Sequence, residues 1–195
     1  LYSFNKPLTG LVGLIEKKLK FPVVIKPINE GSSLGVNIVK NIEELKKSAK
    51  ILFRKYHQLM FEQYIGGQEV QVAIINNKPL GAIELIPRRS FYDYKAKYTT
   101  ASTEYYFPAD LEPAVEVKVK DHAEQLFRAC GCRDFARIDF LLDGACPNFL
   151  EINTLPGLTA TSLLPKSASC IGYNFEQLAT ELVAPAIARF QKGVT

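Results

Sequence analysis

Residues 136–157 read ARIDFLLDGACPNFLEINTLPG. Two apolar runs, Ile138–Leu142 and Phe149–Ile152, flank a polar turn centred on Asp143-Gly144. Asp-Gly between alternating apolar residues predicts a β-hairpin. Side chains alternate across a strand, so Arg137, Asp139 and Leu141 share one face, and Glu151 and Asn153 share a face of the second strand. Pairing of the strands would bring two carboxylates and an amide together. Hard oxygen donors without His or Cys suit Mg2+. That ion keeps waters and binds a few side chains plus substrate phosphates, so the implied partner is a nucleotide. A half-exposed hairpin with scattered acids would carry the same residues.

Outward from the hairpin, Thr154–Ser169 reads as a loop with Pro and Gly breakers. Asn174 then caps a final amphipathic helix, which Pro185 is expected to kink. Upstream, Pro113–Ala129 reads as a helix ended by Gly131 at the C′ position. Before it, Pro87–Pro108 is a long loop carrying Phe91, Tyr92, Tyr94, Tyr98, Tyr105, Tyr106 and Phe107. It is too aromatic for disorder and too long for a mere connection, which points to function. EVQVAII and LGAIELI pair around the Asn76-Asn77-Lys78-Pro79 turn, and LMFEQYI is a further strand. Gly66-Gly67 marks the boundary between two lobes.

Nearer the start, Thr9 is expected to cap a short helix over LVGLIEKKL. FPVVIKP reads as a buried strand ending at Lys26-Pro27, INEGSSLG as a glycine-serine loop and VNIVK as the next strand. Asn41 caps a helix with Glu44 in a capping-box position. Its apolar residues Leu45, Ala49, Leu52, Phe53 and Tyr56 recur at helical spacing.

The chain has 195 residues, 47% hydrophobic and 23% charged, ordinary values for a globular protein of one large or two small domains. Its net charge of +4 is mild, and the basic residues are spread along the chain, which disfavours nucleic acid. Four Cys without a C-x-x-C pair, and only two His, argue against zinc and for reduced thiols in a cytoplasm. No apolar run approaches the ~18 residues that span a bilayer, and no signal peptide is visible. The opening LYSFNKPLTG lacks an initiator Met and suggests a piece of something longer.

Lys26 ends a strand and Glu30-Gly31-Ser32-Ser33-Leu34-Gly35 follows. Glycines let backbone N–H groups approach phosphate oxygens. The spacing is neither a P-loop nor a dinucleotide fingerprint, because strands flank the loop on both sides. A hairpin closing over phosphates is the remaining geometry. FPVVIKPINEGSSLGV, FEQYIGGQEVQVAI, SFYDYKAKY, ARIDF and FLEINTLPGLT occur here in order. Together they resemble the ATP-grasp superfamily and, within it, the D-alanine–D-alanine ligase family. The resemblance runs from about Pro22 to the final helix.

That resemblance implies roles for particular residues. Lys26 and Lys97 correspond to lysines that contact nucleotide phosphates. Glu62, Gln63, Tyr64 and Ile65 match the segment that reads adenine, and Glu69 the carboxylate that holds the ribose. Phe91, Leu141 and Leu150 fall where the family packs apolar side chains on adenine. Asp139, Glu151 and Asn153 match ligands of two Mg2+ ions, with Mn2+ as a substitute. Ser32, Tyr98, Arg137, Gly157 and Ser162 fall where D-alanine and its developing oxyanion are held. The family's N-terminal domain is absent here, and with it an acidic residue that orients the first D-alanine and a further phosphate-contacting lysine.

The fold implied is α+β, an ATP-grasp arrangement of two lobes with nucleotide between them. Residues 1–63 would form the smaller lobe with the phosphate hairpin, and 64–195 the larger lobe with the Mg2+ site and the aromatic loop as a lid. The activity implied is ATP-dependent ligation of two D-alanines through an acyl phosphate, for peptidoglycan precursor synthesis. The partners implied are ATP and D-alanine, without nucleic acid or membrane, in a cytoplasmic protein for which a homodimer is open. Two other readings remain: a ligase with another second substrate such as D-lactate, and a nucleotide-binding fragment without catalysis.

Overall fold

FPVVIKP forms the strand its apolar run predicts. In the computed structural model, which describes residues 1–3, 7–87 and 103–193, β2 is Val23–Pro27. It lies inside a four-stranded antiparallel sheet ordered β1-β4-β2-β3, with β1 Tyr2–Ser3, β3 Asn37–Val39 and β4 Gln58–Gln63. Helices α1 (Leu8–Lys18) and α2 (Ile42–Leu52) supply Leu11, Ile15, Leu45 and Ala49 to a core with Val23, Ile25 and Leu59. Asn41 caps α2 by accepting the Glu44 N–H at 2.9 Å. The Glu44 carboxylate reaches back one residue further than a capping box requires, to the Lys40 N–H at 2.8 Å. The expectation for α1 needs correction. Its N-cap is Pro7, without a side-chain cap, so Thr9 lies inside the helix. Pro7 presets φ at −69°, and its carbonyl accepts the Tyr2 hydroxyl, which ties β1 to the helix start.

These elements belong to a compact unit containing Leu1–Ile65; Gly66–Ile86 and Glu104–Thr195 form a second. The second unit has a five-stranded sheet ordered β7-β6-β5-β8-β9. Its strands are β5 Gln68–Ile75, β6 Lys78–Pro87, β7 Thr103–Tyr106, β8 Phe135–Asp143 and β9 Cys146–Asn153. Asn76 and Asn77, at φ 51° and 61°, make the tight turn between β5 and β6. Gly67, at φ +139°, immediately precedes β5 against the end of β8, where a Cβ would stand 1.9 Å from the Leu142 carbonyl oxygen. Only glycine fits there.

Period-two alternation assigns the two faces of this sheet. Val70, Val72, Ile74, Ile138, Phe140 and Leu142 pack with Val119, Ala123 and Phe127 of α3 (Pro113–Ala129). Gly131, at φ +66°, ends α3, with the Cys132 N–H returning to the Phe127 carbonyl. On the opposite face Ala73 and Ile75 pack with Leu164 and Ala168 of α4 (Leu163–Cys170) and Leu178 and Leu182 of α5 (Phe175–Gln191). Asn174 and Gln177 form a full capping box at the start of α5, and Pro185 lies inside that helix.

Three expectations are revised. The stretch Thr154–Ser169 is not all loop, because α4 begins at Leu163. Pro165 falls in its first turn, where a missing N–H breaks no intrahelical bond. The aromatic segment Pro87–Pro108 ends in an edge strand, β7. In the hairpin, Asp143 is still a strand residue paired with Cys146, so the turn is Gly144-Ala145, one position later than read. Gly144 at φ 56° supplies the left-handed first position that such a turn needs.

Candidate nucleotide and metal site

Register decides which side chains meet. Arg137 lies opposite Asn153, and Asp139 opposite Glu151. Beyond Asp139 the ladder shifts by a bulge, so that Phe140 pairs with Phe149 and Leu150 is the extra residue. Four polar side chains therefore converge on the face opposite α3. Arg137 donates from Nε to Asp139 Oδ1 and from a terminal nitrogen to Oδ2, both at 2.8 Å. Asn153 Nδ2 donates to Asp139 Oδ2 and to Glu151 Oε1, both at 3.3 Å. The Arg137 guanidinium stands 4.0 Å from Glu151.

Burial differs sharply across this cluster. The Asp139 side chain is 2% exposed and that of Arg137 15%, whereas Glu151 is 48% exposed. A desolvated carboxylate requires a cation, and the guanidinium supplies it in a planar two-bond fork. The donor set of two carboxylates and an amide fits a hard divalent ion. Among the described residues no group of three or more His, Cys, Asp and Glu is placed to hold a metal without a further donor such as this amide.

Sequence reading missed Gln71. It lies opposite Asp139 on β5, is 1% exposed, and its Oε1 has no hydrogen-bond partner. The signal was present in EVQVAII, where Glu69 and Gln71 are the polar members of one face of an otherwise apolar strand. Glu69 pairs in register with Leu141, which puts the expected ribose carboxylate and an expected adenine contact side by side.

Gly157 approaches Ser162 so closely that a Cβ would stand 2.7 Å from Ser162 Oγ. Ser162 is the N-cap of α4 by position, yet its hydroxyl does not cap the helix. It accepts the Thr159 N–H at 3.1 Å and pairs with Thr159 Oγ1 at 2.8 Å. An open cavity of about 420 Å³ in the same unit is lined by Leu158, Pro165, Lys166, Tyr173, Phe175 and Leu178, and by none of the expected site residues.

In the first unit, Lys26 Nζ pairs with Glu62 at 2.6 Å. The two are diagonal neighbours, since Lys26 lies opposite Met60 and Glu62 opposite Val24. Gln63 serves its own strand end: Oε1 accepts the Lys20 N–H at 2.8 Å, and Nε2 donates to the Pro22 carbonyl at 3.2 Å. Tyr64 and Ile65 follow, both half-buried. Ser32 lies in the loop between β2 and β3 at φ 53°, with Ser33 at 61°, a left-handed pair that turns successive N–H groups the same way. Phe91, Lys97 and Tyr98 lie outside the described residues.

Comparison with known proteins identifies the family. The profile of the family described as "D-ala D-ala ligase C-terminus" matches residues 5–184. A D-alanine–D-alanine ligase of Geotalea uraniireducens is 44% identical over 181 residues, 92% of this chain and 58% of that protein. The solved D-alanine–D-alanine ligase of Bacillus anthracis superposes with a TM-score of 0.83 at 31% identity, covering 98% of this chain and 62% of that one. Its complex with ATP gives a TM-score of 0.76 at 30% identity, covering 97% and 59%. The chain thus spans little more than half the length of the relatives it matches. With an α+β ATP-grasp fold and a match over nearly its whole length, it belongs to the D-alanine–D-alanine ligase family, to the part described as that family's C-terminus.

Proposed function

We propose that this chain forms the nucleotide- and metal-binding part of an ATP-dependent ligase that joins two D-alanines for peptidoglycan precursors. The observation that carries the reading is the in-register meeting of Arg137, Asp139, Glu151 and Asn153 on one sheet face. The solved relative in complex with ATP supports the nucleotide. Residues 1–63 correspond to the smaller ATP-grasp lobe and 64–195 to the larger.

In the proposed reaction a carboxylate oxygen of one D-alanine attacks the γ-phosphorus of ATP. The bond to the bridging oxygen breaks, leaving ADP and an acyl phosphate. The amine of a second D-alanine then attacks the acyl carbon, loses a proton, and phosphate departs. Lys26 and Lys97 neutralise phosphate charge, which is most of what phosphoryl transfer asks of a protein. Glu62 releases Lys26 toward phosphate, and Glu69 holds the ribose. Phe91, Leu141 and Leu150 pack on adenine, and the Glu62–Ile65 segment reads it. Arg137, with the backbone at Gly157, stabilises the oxyanion, and Ser32, Tyr98 and Ser162 hold D-alanine. Asp139, Glu151 and Asn153 would hold Mg2+, two ions in the proposed arrangement, and Asn153 would turn its amide to present oxygen. Bound there, such an ion would supply positive charge to offset that of the phosphate oxygens. The aromatic loop excludes water that would hydrolyse the acyl phosphate.

All four cysteines are free thiols, which suits a cytoplasmic protein. No helix among the described residues is long and apolar enough to cross a membrane.

The test uses the 195-residue chain itself. Calorimetry should show Mg–ATP binding, while a coupled ADP assay with D-alanine should show no ligation. The acidic partner that the resemblance places in an N-terminal domain lies outside the 195 residues tested, and good positioning is worth up to ~7–11 kcal/mol. At ~1.4 kcal/mol per tenfold, part of that loss suffices to hide turnover. Absence of nucleotide binding would overturn the proposed function, and robust D-alanyl-D-alanine formation the division of labour.

A further inference from the structure

Across the second sheet, one row of side chains runs perpendicular to the strands. Ile83 on β6 pairs with Gln71 on β5, Gln71 with Asp139 on β8, and Asp139 with Glu151 on β9. Directly paired residues share a face, so all four project opposite α3. One rung further along, Ala73, Arg137 and Asn153 line up in the same way. Ala73 is covered by α4 and α5, so Gln71 stands where that cover gives way to the polar cluster.

Gln71 is the odd member of the row. It is 1% exposed, and its Oε1 is wholly buried without a donor. Only one other buried side-chain atom among the described residues is in that condition, Ser167 Oγ on α4. A buried acceptor without a donor is unfavourable, and such groups in native proteins ordinarily meet a water, an ion or a ligand. Its two paired neighbours on the same face are Ile83 and Asp139, the latter the carboxylate expected to bind a divalent cation.

We propose that Gln71 is a positioning residue of that cation site: its carboxamide oxygen accepts a hydrogen bond from a water on the cation held by Asp139 and Glu151. The inference rests on the metal reading given above. Mg2+ rarely sheds its whole hydration shell, so its waters need acceptors in the wall of the site. An ion-to-water distance of ~2.1 Å plus a hydrogen bond of ~2.7 Å places such an acceptor within about 5 Å of the ion. Strand spacing of about 4.8 Å sets β5 one such step from β8. Glutamine carries the oxygen without placing a second buried carboxylate beside Asp139, which would raise the cost of the metal-free state. Asp139 keeps its guanidinium fork on one side while Gln71 serves the water on the other.

The experiment titrates Mn2+ into the 195-residue chain in the presence of ADP, following bound Mn2+ by electron paramagnetic resonance, with metal-free thermal melting alongside. Gln71→Leu keeps the volume and removes the acceptor. Its Mn2+ affinity should fall about 10- to 100-fold, the usual effect of losing an outer-sphere partner. Its metal-free melting temperature should hold or rise, because the unmatched oxygen is gone. Gln71→Glu, which keeps an oxygen at the same reach, should stay within a few-fold of the parent affinity. Ser167→Ala should leave Mn2+ binding unchanged. Parent-like affinity in Gln71→Leu would overturn the inference alone, as would an equal loss in Ser167→Ala, which would assign the oxygen to the packing of α4. Failure of the parent chain to saturate with Mn2+ would instead overturn the metal reading beneath it. Should Gln71→Leu not fold, weak Mn2+ binding by the carboxylate variant would still reject the role.

Discussion

Arg137 holds Asp139 in a two-bond fork, although only one residue separates them on the same strand. Side chains two apart on a strand share a face, and here that geometry is used to neutralise a carboxylate that water scarcely touches. The guanidinium is thus both the proposed oxyanion donor and the counter-charge of the carboxylate proposed to bind the metal. Arg137→Gln should lower stability by roughly 3 kcal/mol, because it leaves a buried charge without its partner. Saturating Mg2+ should restore more stability to this variant than to the parent chain. Melting curves with and without Mg2+ and ADP check both halves.

Glu151 is half exposed, so its loss should spare the fold. In a chain extended to the length of the relatives, Glu151→Gln should reduce ligation by about 100- to 1,000-fold, the scale of removing one charge-stabilising group. Its melting temperature should stay within a degree or two of the parent. Phosphate release and melting, measured on one preparation, decide the matter. Full activity would refute the metal assignment.

Asp134 and Arg189 link the segment before β8 to α5 through two hydrogen bonds, one of 2.7 Å. The Arg189 hydrogen bond holds the Asp134 carboxyl below its usual range, against the upward pull of burial. A depressed folded-state value contributes stability above the unfolded value of about 3.9, and that stability disappears as pH falls through the lower folded value. Asp134→Asn should therefore cost about 1 kcal/mol at pH 7, with the difference from the parent closing below about pH 4. Asparagine also tolerates the local φ of 68°, so the comparison isolates the charge. Urea unfolding at a series of pH values gives the curve.

Gly157 and Ser162 offer a coupling test. Gly157→Ala should cost about 1–3 kcal/mol by driving a methyl into Ser162 Oγ. Ser162→Ala should cost about 1 kcal/mol for the lost Thr159 hydrogen bond. The double variant should cost less than the sum, because loss of the Ser162 hydroxyl makes room for the new methyl. Additive losses would show that the close approach carries no strain.

The sequence shows most of what is local. Asn41 and Asn174 announce their helices because a short polar side chain can accept an N–H that the helix cannot use. Asn76-Asn77 announces a hairpin because both residues tolerate left-handed backbone. The convergence of Asp139 with Glu151 also follows from alternation, given a hairpin. What is hidden depends on counting across strands. Leu150 looks like one more strand residue, and only the observed ladder shows it to be surplus. Gln71 looks like an ordinary alternating polar residue until Asp139 is found beside it. The short helix α4 hides behind Pro165, a residue that forbids a helix interior but not its first turn.

The bulge at Leu150 has a consequence for how this hairpin can drift. From Asp143–Cys146 to Phe140–Phe149 the paired numbers keep one phase; from Asp139–Glu151 onward they keep another. Had the first phase continued, Leu150 would face Asp139, and Glu151 would be carried round toward the apolar layer under α3. The phase slip makes the tip and the acidic rung keep separate clocks. A residue gained or lost at Gly144-Ala145 can be absorbed where the slip already exists, before it reaches Glu151 and Asn153. The hairpin tip can thus vary in sequence while the pair of acids stays in step.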